Sequence, residues 1–358
     1  AALLMSVSGR PVAGGFLAGL AAATKYTTGA VLVAPLTVAL MEPPGRRWRQ
    51  AALTCAAAAG AFLLGCPGVI LYPRYFLKDF LFEVQHARTG HGLVFLETGP
   101  GWLYHILHSL LPGLGWPLLA LTAVAVYLAI RSGDRRLRPV LVFAGVFFLI
   151  LSLGQVRFAR YTIPLIPAFA MLAGATAPAL PVRLRLTGAA LALGGVHAAL
   201  LSLAFIWPDP RTEAAYWIRQ NIPRGSSVGL VSPPWFYTPP LSREFGRLRE
   251  SMRIRAAEEV EDYRVLIARP DWSTTLLDKK PEVVIISSYE SFDRERLKDA
   301  DYRRFMERLA KEYARAVEFG GDPPVRLFSV VAHLPHDMQY PSPRIIIYER
   351  KSAARRGA

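Results

Sequence analysis

Residues 11–41 read PVAGGFLAGLAAATKYTTGAVLVAPLTVALM, an apolar run broken once, at Thr24-Lys25-Tyr26-Thr27-Thr28-Gly29. A charge at membrane depth costs about 2.5 kcal/mol or more on insertion scales, so a lysine inside such a run needs a reason. The pattern suits two short helices meeting at a polar tip, or one long interrupted helix. Broken backbone at that depth is tolerated only beside protein or a wet cavity. Lys25 therefore reads as a cation facing a cavity that holds an anionic ligand, with Tyr26 beside it. The alternative is a lysine that snorkels to a nearby interface.

Outward from this run, the chain divides near Trp207. Residues 1–207 hold 16 of the 42 lysines and arginines and 5 of the 27 acids, whereas residues 208–358 hold 26 and 22. The first part is apolar, nearly free of acid and punctuated by arginine; the second has the mixed charge of a wetted surface. No soluble domain buries so much apolar chain. A spanning helix needs roughly 20 mostly apolar residues, and 51–72, 112–130, 139–154, 164–180 and 187–207 meet or approach that. Residues 1–8 resemble the end of a further span. The fold class expected is an α-helical polytopic membrane protein of at least five crossings, residues 1–207, followed by a small soluble α/β domain, residues 208–358.

The arginines set the orientation. Arg46, Arg47 and Arg49, then Arg131, Arg135, Arg136 and Arg138, then Arg183 and Arg185 mark short cytoplasmic connections. Segments 73–101 and 155–163 then face outward, and the domain after Trp207 lies outside the cytoplasm, in the periplasm of a bacterial inner membrane. YPRYFLKDFLFEVQHARTGHG (72–92) reads as a helix in the interface plane followed by a Gly-rich turn. The opening AALLMSVSGR has no charged leader region and reads as a piece beginning inside a membrane protein. Cys55 and Cys66 would lie about 16 Å apart on a helix, too far for a disulfide, and read as core residues. The net charge of +15 does not form a basic face, so nucleic acid is not an expected partner.

The outer side gathers cations. Arg157, Arg160 and Tyr161 lie in GQVRFARYTIPLIP (154–167), where an arginine fork suits a phosphate; interfacial anchoring is the bland alternative. His86, Arg88 and His91 in HARTGHG (86–92) form a candidate active-site loop. Asp79 and Glu83 are one helical turn apart, which would suit a metal or a base, but more simply make a solvated face. Buried cations at this rim would attract an anion, and a phosphate-bearing lipid is the natural candidate.

In the second half SVGLVS, YRVLIA, EVVIISS, RLFSVV and RIIIYER read as strands, and RTEAAYWIRQNIPRG as a helix. Tyr302, Phe305, Met306, Leu309 and Tyr313 form one helical stripe. His333 and His336 flank Leu334-Pro335 and read as loop polarity rather than a metal site. There is no GxGxxG, HExxH or paired-Cys motif.

These segments carry a resemblance. GGFLAGLAAATKYTTGAVLVAPL, RFARYTIPLIPAFAMLAG, HARTGHG and AAYWIRQNIPRGSSV resemble, in that family's order along the chain, motifs of GT-C class polytopic glycosyltransferases, closest to the dolichyl-phosphate-mannose protein mannosyltransferase family. Its bacterial members include the aminoarabinose transferase that modifies lipid A. The resemblance implies a sugar donor carried on a polyprenyl phosphate, chemistry on the outer face with inversion at the anomeric carbon, and an acceptor glycan, lipid or protein. It implies lipid-phosphate contacts from Tyr161, with Arg160 and Lys25 beside it. The family's catalytic Asp loop would precede Ala1, so the catalytic residues are expected upstream and this stretch alone is expected to be inactive. No cofactor is required by these motifs, and a divalent metal is left open. The rival readings are a transporter or flippase of lipid-linked sugars and a non-catalytic scaffold.

Overall fold

The computed structural model describes residues 1–176, 181–203, 208–241, 262–320, 336–340 and 342–351. Two compact units result, one of residues 1–198 and one beginning at Ala199.

In the first unit, α1 (Ala2–Val7) precedes α2 (Pro11–Thr24), which ends where Lys25 turns extended at φ −158°, ψ 121°. A 3₁₀ segment, Tyr26–Leu32, leads into α3 (Val33–Leu40). Of the two alternatives for this run, the structure shows short helices meeting at a polar tip. The hydroxyls of Thr24 and Thr28 lie 2.7 and 2.6 Å from the Ala21 carbonyl left at the helix end, so the threonines satisfy the backbone that the break exposes. Next, α4 (Pro44–Gly65) packs on α2 through small residues. A Cβ added at Gly15 or Gly19 would run into the carbonyls of Thr54 and Ala58. GFLAG (15–19) is thus a close-approach face of the kind that joins helices in lipid.

After α5 (Gly68–Leu71), α6 (Pro73–Thr89) forms the expected amphipathic helix, none of whose residues is buried. α7 (Gly101–Tyr104), a π turn (His105–Leu110) and α8 (Leu111–Ser132) make one apolar stretch, bent where Gly115 leaves helical geometry at φ 71° ahead of Pro117. From α11 (Pro181–Leu203), the buried His197 places Nε2 2.8 Å from the Pro112 carbonyl beside this bend; a carbonyl only accepts, so Nε2 carries the proton. Between them lie α9 (Arg138–Leu153) and α10 (Leu165–Thr176). The core is Phe143, Phe147, Leu165 and Leu172 against Ala34, Ala125 and Ala129.

Fewer helices qualify as spans than the five expected. Gly101–Ser132 and Arg185–Ser202 are long and apolar enough; Arg138–Leu153 and Leu165–Thr176 are shorter. At 1.5 Å per residue the sixteen residues of α9 reach only about 24 Å, less than the roughly 30 Å hydrocarbon layer. α4 is long enough, but its first turns hold Arg46, Arg47 and Arg49. Cys55 is exposed, not core. The surface is nevertheless inverted: among the described residues, every exposed large apolar side chain except Tyr216 belongs to this unit, with Leu64, Ile70, Ile130, Leu149 and Leu153 among them. Such a surface suits lipid rather than water.

In the second unit α12 (Pro210–Asn221), capped by Asp209, precedes a five-stranded mixed sheet. The strands are β1 (Ser227–Leu230), β2 (Arg264–Ile267), β3 (Val283–Ser287), β4 (Tyr313–Phe319) and β5 (Ile345–Arg350), in the order β2-β1-β3-β5-β4. The first three are parallel; β5 runs antiparallel to β3 and β4. Helices α13 (Thr275–Asp278), α14 (Ser288–Arg296) and α15 (Ala300–Glu312) complete it. Tyr313 does not extend the α15 stripe but opens β4, which the sequence reading missed, and still packs with Trp272, Phe305 and Leu309. The expected strand RLFSVV and His333 lie outside the described residues.

α14 begins with a capping box in which Glu290 reaches back to the Ser287 amide at 3.1 Å. Burial, reinforced by Asp271, pushes the Glu290 carboxyl from its ordinary 4.5 up to about 7, against the opposing hydrogen bonds from Ser232 and Ser287. A raised folded-state value means the fold favours the neutral acid. That stability is fully present below about pH 4.5 and lost as pH rises through about 7. The unfolding temperature of this unit is expected to fall between about pH 5 and pH 8, and Glu290→Gln to flatten the dependence; an unchanged slope in the variant contradicts this.

Candidate functional site in the membrane unit

The chain brings three segments together around two rings. Lys25, at the end of α2, places Nζ 4.3 Å from the centroid of the Tyr161 ring. The Arg160 guanidinium lies 5.7 Å from the same centroid and 3.9 Å from that of Phe158. Arg160 and Tyr161 belong to the 3₁₀ turn Ala159–Thr162, and Phe158 immediately precedes it. His91 meets the Phe158 ring at 5.2 Å, and its Nδ1 is 3.3 Å from Nε2 of His86, in the last turn of α6. The Gln155 amide, bonded to the Ala87 carbonyl at 3.0 Å, ties the end of α6 to the segment before Phe158. Aromatic faces attract cations, so Tyr161 and Phe158 hold two positive groups, Lys25 and Arg160. Glu83 is a carboxylate within Coulombic range of Lys25.

The expectation of buried cations needs correction. Lys25 and Arg160 are exposed. Arg157 is buried, at 7 % exposure, and its guanidinium donates to the carbonyls of Gly154 (3.2 Å) and Gly99 (2.6 Å) and to the Thr98 hydroxyl (3.0 Å). It clasps two loops rather than presenting a fork to a ligand. Tyr26 packs edge-on against Phe76 and Phe80 of α6, and so holds that helix to the hairpin. Arg88 sits exposed on the last turn of α6. The gathered set is Lys25, His86, His91, Arg160 and Tyr161. The sequence reading missed Phe158, although it sits between the two arginines it discussed. Among the described residues no group of three or more His, Cys, Asp and Glu side chains is placed to hold a metal.

Arg157→Gln is expected to leave the Gly99 and Gly154 carbonyls short of donors and to cost about 1–3 kcal/mol. Thermal unfolding in detergent measures it, and an unfolding temperature equal to wild type removes Arg157 from the clasp.

A helical unit with an apolar outer surface, carrying cations set against aromatic rings, suggests the class: a membrane protein. Residues 1–153, somewhat less than half of the chain, match the model of glycosyltransferase family 87. The match supports a membrane glycosyltransferase; it does not reach the finer resemblance to protein mannosyltransferases. The matched span contains Lys25, His86 and His91, while Arg160 and Tyr161 follow it. No curated protein and no solved structure matches the chain.

Proposed function

We propose that the protein moves a sugar from a polyprenyl-phosphate carrier to an acceptor on the outer face of the membrane. The observation that carries this reading is the sharing of one ring, Tyr161, by Lys25 and Arg160. When the glycosidic bond to the carrier breaks, negative charge develops on the departing lipid phosphate, and fixed cations placed beforehand stabilise it most. Lys25 supplies a point charge and Arg160 a planar fork of donors, with the Tyr161 hydroxyl as a further donor. His86 and His91, with Nε2 and Nδ1 3.3 Å apart, add ring nitrogens that can donate or accept a hydrogen bond beside the cations. The match to a glycosyltransferase family and the lipid-compatible surface support the transfer reading; the transporter reading has neither a repeat nor a match behind it.

In this proposal the first unit crosses a bacterial plasma membrane several times, its short arginine-rich connections are cytoplasmic, and the second unit is periplasmic. The full-length protein in proteoliposomes, supplied with synthetic polyprenyl-phosphate sugars and an oligosaccharide acceptor, is expected to release polyprenyl phosphate and lengthen the acceptor. Movement of the intact lipid-linked sugar between leaflets, without cleavage, would contradict it.

A further inference from the structure

In the second unit, β1 leads to β2 on one side and the chain then crosses to β3 on the other side of β1. Parallel strands that part in opposite directions leave a crevice at their carboxyl ends, the usual place for a ligand in such sheets. Three segments converge there: 231–240 after β1, 287–290 after β3, and 336–340, which precedes β5 and is brought alongside because β5 is antiparallel to β3.

Aromatic rings and hydroxyl chemistry fill this place. Phe236 stacks on Tyr340 with centroids 4.3 Å apart and planes 8° from parallel, and Tyr237 stacks on Tyr289 at 5.5 Å and 25°. Phe236 also meets Tyr289 edge-on at 5.0 Å. The buried Ser232 hydroxyl donates to the Glu290 carboxyl and lies 3.4 Å from the Tyr237 hydroxyl. The Tyr289 hydroxyl is 2.8 Å from His336 Nδ1, so His336 is engaged here rather than being loose surface polarity. Phe236, Tyr237 and Tyr340 keep part of their surface in solvent. The sheet does not need them as cover, because Val228, Leu230 and Ile285 are already buried against Ile218, Ile345 and Ile347.

The chemistry of the crevice selects its ligand. A phosphate-bearing nucleotide would want a glycine-rich turn and a helix N-terminus after β1. Here the turn is VSPPWFYTPP, with no glycine, no cation and no helix begun by Leu241. A sugar ring offers an apolar C–H face, whose positive edge suits the negative face of an aromatic ring, and a rim of hydroxyls that a serine, a carboxyl and tyrosine hydroxyls can read.

We infer that the carboxyl ends of β1 and β3 form a saccharide-binding site, with Phe236 and Tyr340 as the stacking platform, the half-buried Tyr237 hydroxyl as the group that reads hydroxyls, and the buried Ser232–Glu290 pair positioning it. Its occupant is the acceptor glycan, an assignment that rests on the transferase reading above. The test uses the whole chain in nanodiscs, with α-mannotriose, maltotriose and arabinotriose as probes, followed by saturation-transfer NMR. At least one probe is expected to bind through its ring C–H protons. Phe236→Ala with Tyr340→Ala is expected to weaken it roughly tenfold, while Phe236→Trp, which keeps a platform, retains it. Lys25→Gln with Arg160→Gln should lose transfer yet keep this binding. Failure of all three probes with folded protein, or unchanged binding in the double alanine variant, overturns the site. Binding without any transfer by the full-length wild-type protein sinks the transferase reading and the acceptor assignment, and leaves the saccharide site standing.

Discussion

Replacing Lys25 and Arg160 together by glutamine is expected to lower sugar transfer about 100-fold or more, in line with the loss of preorganised charge stabilisation at other active sites. Both cations address the same Tyr161 ring, at 4.3 and 5.7 Å, so each single variant should retain part of the field and the two effects should not simply add. The loss belongs mainly in kcat, because the phosphate gains charge as the bond to the sugar breaks; a rise in KM alone would mean that the cations only tether the carrier. Tyr161→Phe keeps the ring that holds both cations and removes only a hydroxyl, and is expected to cost less than Tyr161→Ala. The check is initial-rate transfer in proteoliposomes of fixed lipid composition. Equal activity of the double variant and wild type would remove the rim from the mechanism.

Gly19→Leu is expected to be the most damaging single change to the membrane unit. Its side chain would have to occupy the space of the Ala58 backbone, which cannot give way as a flexible side chain can. Forced overpacking costs about 1–3 kcal/mol and occasionally more, and here it also moves α2, at whose end Lys25 is carried. Activity and thermal stability should therefore fall together. Gly60→Ala is the control: it lies on α4 with open space where its Cβ would stand, and replacing a helical glycine with alanine gains up to about 1 kcal/mol. An unfolding temperature for Gly19→Leu within error of wild type would show that α2 and α4 are not held by close approach.

The polar tip at Lys25 was legible because a lysine in an apolar run costs enough to demand a break or a partner, and the helix does end there. The amphipathic character of α6 was legible from its aromatics set among charges. What one sequence could not show was which arginine of RFARY turns inward. Arg157 and Arg160 are three residues apart, and only the fold reveals that Arg157 is spent on Gly99, Thr98 and Gly154. Of the five spans expected, two stretches among the described residues are long and apolar enough, Gly101–Ser132 and Arg185–Ser202; α9 keeps the sixteen residues read for it, and the Gly115 bend divides the longer stretch. β4 was missed because YARAVEF mixes Arg315 and Glu318 with few apolar residues, as an edge strand with a bulge does. The crevice at β1 and β3 was invisible for a topological reason. Its three segments are distant in sequence, and only the crossover and the antiparallel β5 unite them.

The account depends on a lipid phosphate resting between Lys25 and Arg160. Its most direct test is crosslinking with a polyprenyl phosphate carrying a photoactivatable group next to the phosphate, mapped by mass spectrometry in bilayers. The adducts are expected in 25–28, 86–92 and 157–162, competed away by unlabelled polyprenyl phosphate and lost from the Lys25→Gln, Arg160→Gln protein. Labelling confined to other segments, or undiminished in that variant, would contradict it.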